Sequence, residues 1–229
     1  MKSKMTTGLK RIALIVAGGT GSRMGSDIPK QFLLLNGKPL LMHSIQKFHT
    51  VSEEVVVVLP EEWKSHWQTL CTHHQFSIPF KVVSGGSSRA ASVKKGLSAI
   101  GGVCIVAVHD AARPLISTAF ITRLYIAAAT NGNAVPVMPV NDSIRICEDH
   151  QSRSVNRADY RLVQTPQCFL ASQLIMAFKR KDFEIYTDEA SLVQAAGIPI
   201  HLTDGEASNI KLTHPDDFLY AEYYLKSKE

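Results

Sequence analysis

Residues 11–33, RIALIVAGGTGSRMGSDIPKQFL, combine an apolar run, a glycine-rich loop and two cations. The run over residues 12–16 is continuously apolar, which is typical of a strand buried on both faces. Four glycines follow between residues 18 and 25. Because glycine has no side chain, it lets backbone amides approach a phosphate closely. With Arg23 and Lys30 beside it, this loop predicts a phosphate site at the carboxyl end of a strand.

Short apolar runs alternate with helical patterns along the first part of the chain. The predicted strands are residues 12–16, 55–59, 81–83 and 103–108. The predicted helices are residues 40–48, 61–71, 88–100 and 117–130. Because strands that alternate with helices form βαβ units, the sequence predicts an α/β fold with a mostly parallel sheet and helices on both faces.

The second half of the chain departs from this regular alternation. Residues 134–140, AVPVMPV, predict a strand whose prolines favour an edge or an irregular position. We also expect a short strand that ends at Lys211. The other predicted elements are a strand over 162–164, helices over 171–180 and 188–196, a strand near Ile200 and a final helix over 215–226.

Residues 141–161 are polar and carry charges of both signs. Residues 144–147 and 153–156 are expected to pair as a hairpin. This segment has too few apolar residues to bury itself, so it must project or pack on something else, such as a second subunit. The simplest organisation is one domain over residues 1–229 with a projecting β-arm at about 141–161.

The composition is that of an ordinary globular protein, with 45% hydrophobic residues, 20% charged residues and a net charge of +5. No apolar run approaches the roughly 18 residues that a membrane span needs, and the N-terminus lacks the apolar region of a secretory signal. The four cysteines form no CxxC pair, so we interpret them as reduced thiols of a cytoplasmic protein. Basic residues form no blocks with interleaved aromatics, which gives no support for nucleic-acid binding.

The glycine loop departs from two common phosphate motifs. No GxxxxGK[ST] string occurs, and Met24 stands where the third glycine of GxGxxG would be. What remains is a glycine loop with two cations, which suits a reaction that builds negative charge on phosphorus. The alternative is an ordinary strand-to-helix turn with solvated charges.

A second glycine turn, SGGSSR at residues 84–89, opens a predicted helix. Ser87 or Ser88 can cap that helix, and its first amides together with Arg89 can hold an anion. Ser92, one turn further on, can face the same pocket. The alternative is an ordinary capped helix.

The string HDAARP, residues 109–114, follows an apolar strand. Asp110 lies at the carboxyl end of that strand, where a carboxylate suits Mg²⁺ or its water shell. Arg113 can reach a second anion. The alternatives are a helix N-cap for Asp110 and a satisfied buried histidine for His109. In TDEAS, further along the chain, Thr187 is a good helix N-cap.

Six strings taken together are more specific than any of them alone. In chain order they are AGGTGSRMG with PKQFL, GGSSRAASV, HDAARP, NR followed by QTPQ, TDEAS and NIKLTHPDD. This order resembles the 2-C-methyl-D-erythritol 4-phosphate cytidylyltransferases, the CTP-using enzymes of the non-mevalonate isoprenoid pathway. The resemblance implies a Rossmann-like nucleotidyltransferase fold, CTP and methylerythritol phosphate as substrates, and Mg²⁺ or another divalent cation as cofactor.

The resemblance also implies roles for individual residues. The CTP site would comprise Ala17, Gly18, Gly19, Gly85, Arg89, Ser92, Asp110 and Ala111. The sugar-phosphate site would comprise Arg113, Ser143, Arg157 and Lys211. The catalytic residues would be Arg23, Lys30, Arg157 and Lys211. Of these, Arg23 and Lys30 would stabilise the pentavalent transition state, and Asp110 would also bind the metal.

The polar segment at residues 141–161 would be a dimerisation arm on the same resemblance. It implies a homodimer in which Ser143 and Arg157 enter the site of the partner subunit. The family often has threonine in place of Ser143, and serine lacks the methyl group that restricts the rotamer. Its first loop often reads AAG where this chain reads AGG, and the extra glycine is compatible with close phosphate approach.

Three alternatives stay open from the sequence. Ribitol-5-phosphate cytidylyltransferases are similar in several strings, but AARP, SVNR at residues 154–157 and TDEAS favour methylerythritol phosphate as the acceptor. A molybdopterin guanylyltransferase or another sugar-nucleotide pyrophosphorylase shares only the first loop. A non-catalytic nucleotide-binding protein of the same fold would be expected to lose at least one charge of the site. The chain retains Arg23, Lys30, Asp110 and Lys211.

Overall fold

The structure, a computed structural model, describes residues 8–18, 28–148 and 151–228. Its strands are β1 (Lys10–Val16), β2 (Leu34–Leu35), β3 (Lys38–Pro39), β4 (Glu54–Leu59), β5 (Lys81–Ser84), β6 (Cys104–Asp110), β7 (Asn133–Pro139), β8 (Ile144–Glu148), β9 (Gln151–Val155), β10 (Arg161–Val163), β11 (Gln167–Leu170) and β12 (Leu202–Asp204). Its α-helices are α1 (Leu40–His49), α2 (Lys64–His73), α3 (Arg89–Ser98), α4 (Thr118–Asn131), α5 (Ala171–Ala177), α6 (Glu189–Ala195) and α7 (Pro215–Lys226). Each predicted helix is present, with differences at the ends.

A mixed, mostly parallel sheet forms the centre of the fold, as the alternation of strands and helices predicts. Its strands lie in the order β10-β7-β11-β6-β1-β4-β5, and β12 pairs with β7. β1 lies between β4 and β6 and is parallel to both, and β5 is parallel to β4. The register places Val16 beside Asp110, so the carboxyl ends of β1 and β6 lie together.

Helices cover both faces of this sheet, which explains why β1 is apolar at every position of its interior. Ala13 and Ile15 belong to a core that α1, α2 and α4 complete. Ile12 and Leu14 belong to a second core, which α3, α5 and α6 complete. Because successive side chains of a strand point to opposite faces, both sets must be apolar. The prediction of helices on both faces is confirmed.

β7 does not lie at an edge of the sheet, so of the two predicted positions the irregular one applies. It pairs in parallel with β12 and antiparallel with both β11 and β10. The irregular position that its prolines indicate is present, because Pro136 lies where the antiparallel partner changes from β11 to β10. There the carbonyl oxygen of Pro136 accepts the amide of Gln164 at 2.8 Å. The strand β11 itself was not among the predicted elements.

β8 and β9 form the predicted hairpin, with Ile144 opposite Val155. Its side chains are exposed or half-buried. The strand expected to end at Lys211 is absent. The amides of Asn209 and Ile210 donate within their own loop, and the Leu212 amide donates to the Ala112 oxygen at 2.8 Å.

α7 packs over β2 and the start of α1, where Leu35, Leu40, Leu212 and Ala221 form a third core. Among the helices of the described residues, none is long and apolar enough to cross a membrane.

Candidate active site

A cleft of about 450 Å³ lies at the carboxyl ends of β1, β4 and β5. Gly18 and Gly85 form part of its wall, beside Leu59 and Ser92. A Cβ atom added to Gly85 would lie 3.1 Å from Ser92 Oγ and 3.4 Å from the Leu59 oxygen. A side chain at this position would therefore be crowded. Ser92 Oγ in turn accepts the amide of Gly86 at 3.0 Å, which fixes the turn over the cleft.

The second glycine turn leads into α3 as the sequence predicts. Ser88 is the residue that caps the helix, and its Oγ accepts the amide of Ala91 at 3.1 Å. Arg89 follows as the first residue of α3. The cap and the cleft thus share one turn, and Arg89 is held at the edge of the cleft.

Four charged side chains form a continuous chain of ion pairs beside this cleft. Arg89 Nη1 and Nη2 donate to the two carboxylate oxygens of Glu189, at 2.7 and 3.1 Å. Arg89 Nε donates to Asp110 Oδ1 at 3.0 Å. Lys211 Nζ donates to Asp110 Oδ2 at 2.7 Å. Positive and negative groups therefore alternate from Glu189 to Lys211.

The local charges set the protonation of this cluster. Burial alone would raise the pKa of the Asp110 carboxyl, but the Arg89 guanidinium and the Lys211 ammonium outweigh burial and hold this pKa well below its usual range. Burial lowers the pKa of the neighbouring His109 to about 3. Near pH 7, Asp110 is therefore an anion and His109 is neutral. His109 Nε2 lies 3.2 Å from the Arg113 oxygen, which makes it the satisfied buried histidine of the sequence alternatives.

A second cleft, of about 360 Å³, has Asp110 in its wall. Arg113, Lys211 and Thr187 line it, and Arg89 lines both clefts. Arg113 Nη1 donates to the Asn209 oxygen at 2.8 Å. Its Nε is buried and has no hydrogen-bond partner among the described residues. A buried donor of this kind is suited to an anionic ligand that enters the cleft.

Residues 209–212 contact or contain three cations of the site. Lys30 Nζ donates to the Leu212 oxygen at 3.0 Å, while the Asn209 oxygen holds Arg113. Lys211, between them, reaches Asp110. A positive region next to two glycine turns can bind phosphate groups and stabilise charge that develops on them.

The structure brings together most of the residues that the sequence singles out. Those that line one or both clefts are Gly18, Gly85, Arg89, Ser92, Asp110, Arg113 and Lys211. Lys30 joins them through its contact with the Leu212 oxygen. Gly19 and Arg23 lie outside the described residues.

Four further predicted residues line neither cleft. Ala17 and Ala111 are 3% and 2% exposed, and their amides bond to the Val58 and Val16 oxygens within the sheet. Ser143 and Arg157 belong to the exposed segment around the β8–β9 hairpin, where Arg157 donates to the Asn141 oxygen. Roles for Ser143 and Arg157 in catalysis or binding stay predictions.

Glu189 is the residue that sequence reasoning missed. TDEAS contained the signal, but we expected Thr187 to cap the helix. The cap is Asp188, whose Oδ1 accepts the Ser191 amide at 3.0 Å. That shift places Glu189 at the first position of α6, where it is buried against Arg89.

Asp110 suits a metal ion that arrives with its substrate. Within the described residues, no group of three His, Cys, Asp or Glu side chains could hold a metal ion. Mg²⁺, however, is commonly held by one or two carboxylates together with substrate phosphates. Asp110 is a buried anion in the wall of the second cleft and can serve as such a carboxylate by exchanging one of its ion pairs.

Comparison with known proteins identifies similar chains over almost the whole length. The family model described as IspD, 2-C-methyl-D-erythritol 4-phosphate cytidylyltransferase, matches residues 11–227. The 2-C-methyl-D-erythritol 4-phosphate cytidylyltransferase of Bacteroides fragilis is 42% identical over 217 residues, which cover 94% of this chain and 99% of that protein. The enzyme of the same name from Porphyromonas gingivalis is 42% identical over 219 residues, which cover 95% and 99% of the two chains.

Solved structures give the same result. The crystal structure of 2-C-methyl-D-erythritol 4-phosphate cytidylyltransferase from Thermus thermophilus matches with a TM-score of 0.80 at 35% identity, over 95% of this chain and 100% of that one. The Francisella tularensis structure of the same name matches with a TM-score of 0.76 at 28% identity, over 93% and 99% of the two chains. The likeness thus extends over nearly the whole chain.

Proposed function

The chain belongs to the 2-C-methyl-D-erythritol 4-phosphate cytidylyltransferase family, and from this premise we propose that its two clefts transfer a cytidylyl group from CTP to 2-C-methyl-D-erythritol 4-phosphate. The products are 4-diphosphocytidyl-2-C-methylerythritol and pyrophosphate, and the reaction belongs to isoprenoid precursor synthesis. One observation carries the assignment to this site: Lys30 and Arg113 both donate to backbone oxygens of residues 209–212, and Lys211 of the same segment pairs with Asp110.

The reaction is a displacement at phosphorus. A phosphate oxygen of the acceptor attacks the α-phosphorus of CTP and forms a new P–O bond. The bond from the α-phosphorus to the bridging oxygen of the β-phosphate breaks, and pyrophosphate leaves with the electron pair. Negative charge grows on the α-phosphate and on the leaving group, so fixed cations lower the barrier. Lys30 would supply one such cation, and Arg23 a second.

The glycine cleft would hold CTP. The amide of Gly18 would face the triphosphate, and the backbone around Gly85 would contact the cytosine ring. In support, a Cβ atom on Gly85 would be crowded by Ser92 Oγ, at 3.1 Å. Arg89 would contact the cytidine from the edge of the cleft, where Asp110 and Glu189 hold its guanidinium.

The divalent cation would be Mg²⁺, held by Asp110 together with phosphate oxygens of CTP. When bound, it supplies positive charge that neutralises the triphosphate. Asp110 is ready for this role because Arg89 and Lys211 keep it ionised at physiological pH.

The second cleft would hold the phosphate of the acceptor, with Arg113 and Lys211 as its cations. The unpartnered Nε of Arg113 supports this role, because a phosphate oxygen would satisfy a buried donor. Ser143 and Arg157 would complete the acceptor site from a second subunit.

The whole chain would act as one domain, and residues 141–161 would be its dimerisation arm. The β8–β9 hairpin is two-stranded and exposed, and such a hairpin is marginally stable unless another surface packs against it. Leu162 and Val163, 57% and 43% exposed on the adjoining β10, extend the apolar area available to a partner. We assign the enzyme to the cytoplasm, since its four cysteines are free thiols, as in a reducing compartment.

Pyrophosphate release from CTP and Mg²⁺ tests the proposed activity. It is measured with methylerythritol 4-phosphate, with ribitol 5-phosphate and with no acceptor. We expect turnover with the first acceptor and background release in the other two reactions. Turnover with ribitol 5-phosphate alone would overturn the acceptor assignment, and no acceptor-dependent release at all would make the chain a non-catalytic nucleotide-binding protein.

A further inference from the structure

Glu189 is a buried carboxylate to which the proposed reaction gives no role. It is 2% exposed, and both of its oxygens accept hydrogen bonds from the Arg89 guanidinium. A buried ion pair contributes little net stability, because the cost of desolvation offsets the attraction. Burying this pair beside the two clefts is therefore weak evidence for a stabilising role and points to a role in the site.

Arg89 transmits the position of Glu189 to Asp110. The Nη edge of the guanidinium is held by Glu189, and its Nε donates to Asp110 Oδ1 at 3.0 Å. The guanidinium is planar, so rotating it away from Asp110 would break two charge-assisted hydrogen bonds to Glu189. Arg89 borders both clefts, and its orientation therefore fixes one oxygen of Asp110 in the wall of the second cleft.

Hydrogen bonds to the sheet hold the start of α6 in place. Gln167 of β11 accepts the Ala190 amide at 2.8 Å through its oxygen. The nitrogen of the same side chain donates to Asp188 Oδ2 at 2.8 Å. Because β11 pairs with β6, the strand that ends at Asp110, Glu189 and Asp110 are attached to neighbouring strands. Arg89, on α3, spans the gap between these two anchored carboxylates.

We propose that Glu189 is a positioning residue for cytidylyl transfer, which acts through Arg89 to hold Asp110 in the orientation that CTP requires. This inference rests on the proposed function. In Glu189→Gln the amide keeps one acceptor, and its NH₂ group faces an Nη donor of Arg89. The guanidinium then loses its bidentate pair with residue 189, and Asp110 loses the orientation that Arg89 imposes. The acceptor contacts of Lys211 and Arg113 stay in place.

A double-mutant cycle tests this inference, with Glu189→Gln, Arg89→Lys and the double variant. The KM for CTP and the dissociation constant for Mg²⁺-CTP should both rise about tenfold in Glu189→Gln, as expected for losing a bidentate charged pair. The KM for methylerythritol 4-phosphate should change less than about threefold. In the Arg89→Lys background, Glu189→Gln should change the CTP constants less than about threefold, because lysine cannot form the bidentate pair.

Glu53→Gln is the matched control. It removes another carboxylate paired with an arginine, since Glu53 Oε1 lies 2.7 Å from Arg11 Nη2 near the amino end of β1. Its kinetic constants should equal those of the wild type. Tm is measured for every variant, because a smaller folded fraction would lower kcat without changing either KM. If Glu189→Gln does not fold, Glu189→Asp replaces it in the cycle, since it keeps the charge and is too short to bridge both Nη atoms.

Two results would overturn the inference. One is CTP constants within twofold of wild type in a folded Glu189 variant. The other is an equal effect of Glu189→Gln in the wild-type and Arg89→Lys backgrounds, which would separate Glu189 from Arg89. The CTP dissociation constant is measured without an acceptor. A wild type that binds CTP but does not turn over methylerythritol 4-phosphate would thus defeat the proposed function while the cycle still decides on Glu189.

Discussion

Gly18→Ala tests whether the first glycine turn is needed for activity and not for stability, because it should lower kcat/KM without lowering Tm. An added Cβ at Gly18 would lie 3.8 Å from Ser92 Oγ, which is the nearest atom among the described residues outside its chain neighbours. That distance is an ordinary van der Waals contact, so the substitution introduces no steric strain there. Replacing glycine also restricts the unfolded chain, which stabilises a protein by about 0.4–1 kcal/mol where the backbone tolerates alanine. Tm should therefore stay the same or rise by up to about 4 °C.

The activity of Gly18→Ala should fall in spite of that stability. A phosphate oxygen bonded to the Gly18 amide must come within about 3 Å of its nitrogen, and the new methyl group would protrude into the same cleft. A displacement of about 1 Å at a reacting group costs on the order of a hundredfold in rate. We therefore expect kcat/KM for CTP to fall about a hundredfold, or about 2.7 kcal/mol of transition-state stabilisation.

Two further glycine variants make this experiment decisive. Gly101→Ala places a methyl group in open space near the amino end of β6, and its kinetics should match the wild type. Gly86→Ala puts a Cβ 2.6 Å from the Ala91 Cβ, so it should destabilise the fold by about 1–3 kcal/mol. Wild-type kcat/KM in Gly18→Ala would refute the assignment of this turn to the triphosphate. So would a fall in activity accompanied by a fall in Tm as large as that of Gly86→Ala.

Three other predictions address the cations, the buried histidine and the arm. Lys30→Ala should lower kcat by about a hundredfold or more, with a smaller change in the CTP dissociation constant, and an unchanged kcat would contradict its role. His109 has a pKa of about 3 when folded and an ordinary value of 6.5, so the unfolded chain binds the extra proton as pH falls through this interval. The free energy of unfolding should drop by about 1.4 kcal/mol per pH unit there, and His109→Gln should remove that part of the slope in urea titrations at pH 4–7. Arg157→Ala should raise the KM for the sugar phosphate. Mixed dimers that contain one Arg157→Ala subunit and one Lys30→Ala subunit should regain activity only if Arg157 acts in the site of its partner subunit.

The central strands and the helices could be predicted because local sequence determines them. β1 and β6 are apolar at successive positions since both of their faces are covered, and Pro215 marks the start of α7. β11 could not be found in this way. It has four residues, runs directly into α5, and owes its place to antiparallel pairing with β6 and β7. The sequence could not decide between an edge and an irregular position for β7 for the same reason, because its neighbours come from distant parts of the chain.

The site could be predicted as a set of charged residues but not as a network. Asp110 and Lys211 stand out individually, at the end of a strand and in the NIKL string. Their ion pair joins residues 101 positions apart, and that of Arg89 with Glu189 joins residues 100 positions apart. No local pattern records such pairs. An acidic residue such as Glu189 is favourable in the first turn of any helix, and only its burial against Arg89 indicates a further role.

The most direct measurement of the central claim is a ³¹P NMR experiment on the enzyme with CTP, Mg²⁺ and equal concentrations of methylerythritol 4-phosphate and ribitol 5-phosphate. We predict that pyrophosphate appears together with the diphosphate diester of methylerythritol, while the ribitol phosphate signal stays unchanged. A diester of ribitol as the main product, or pyrophosphate formed together with free CMP, would contradict the account.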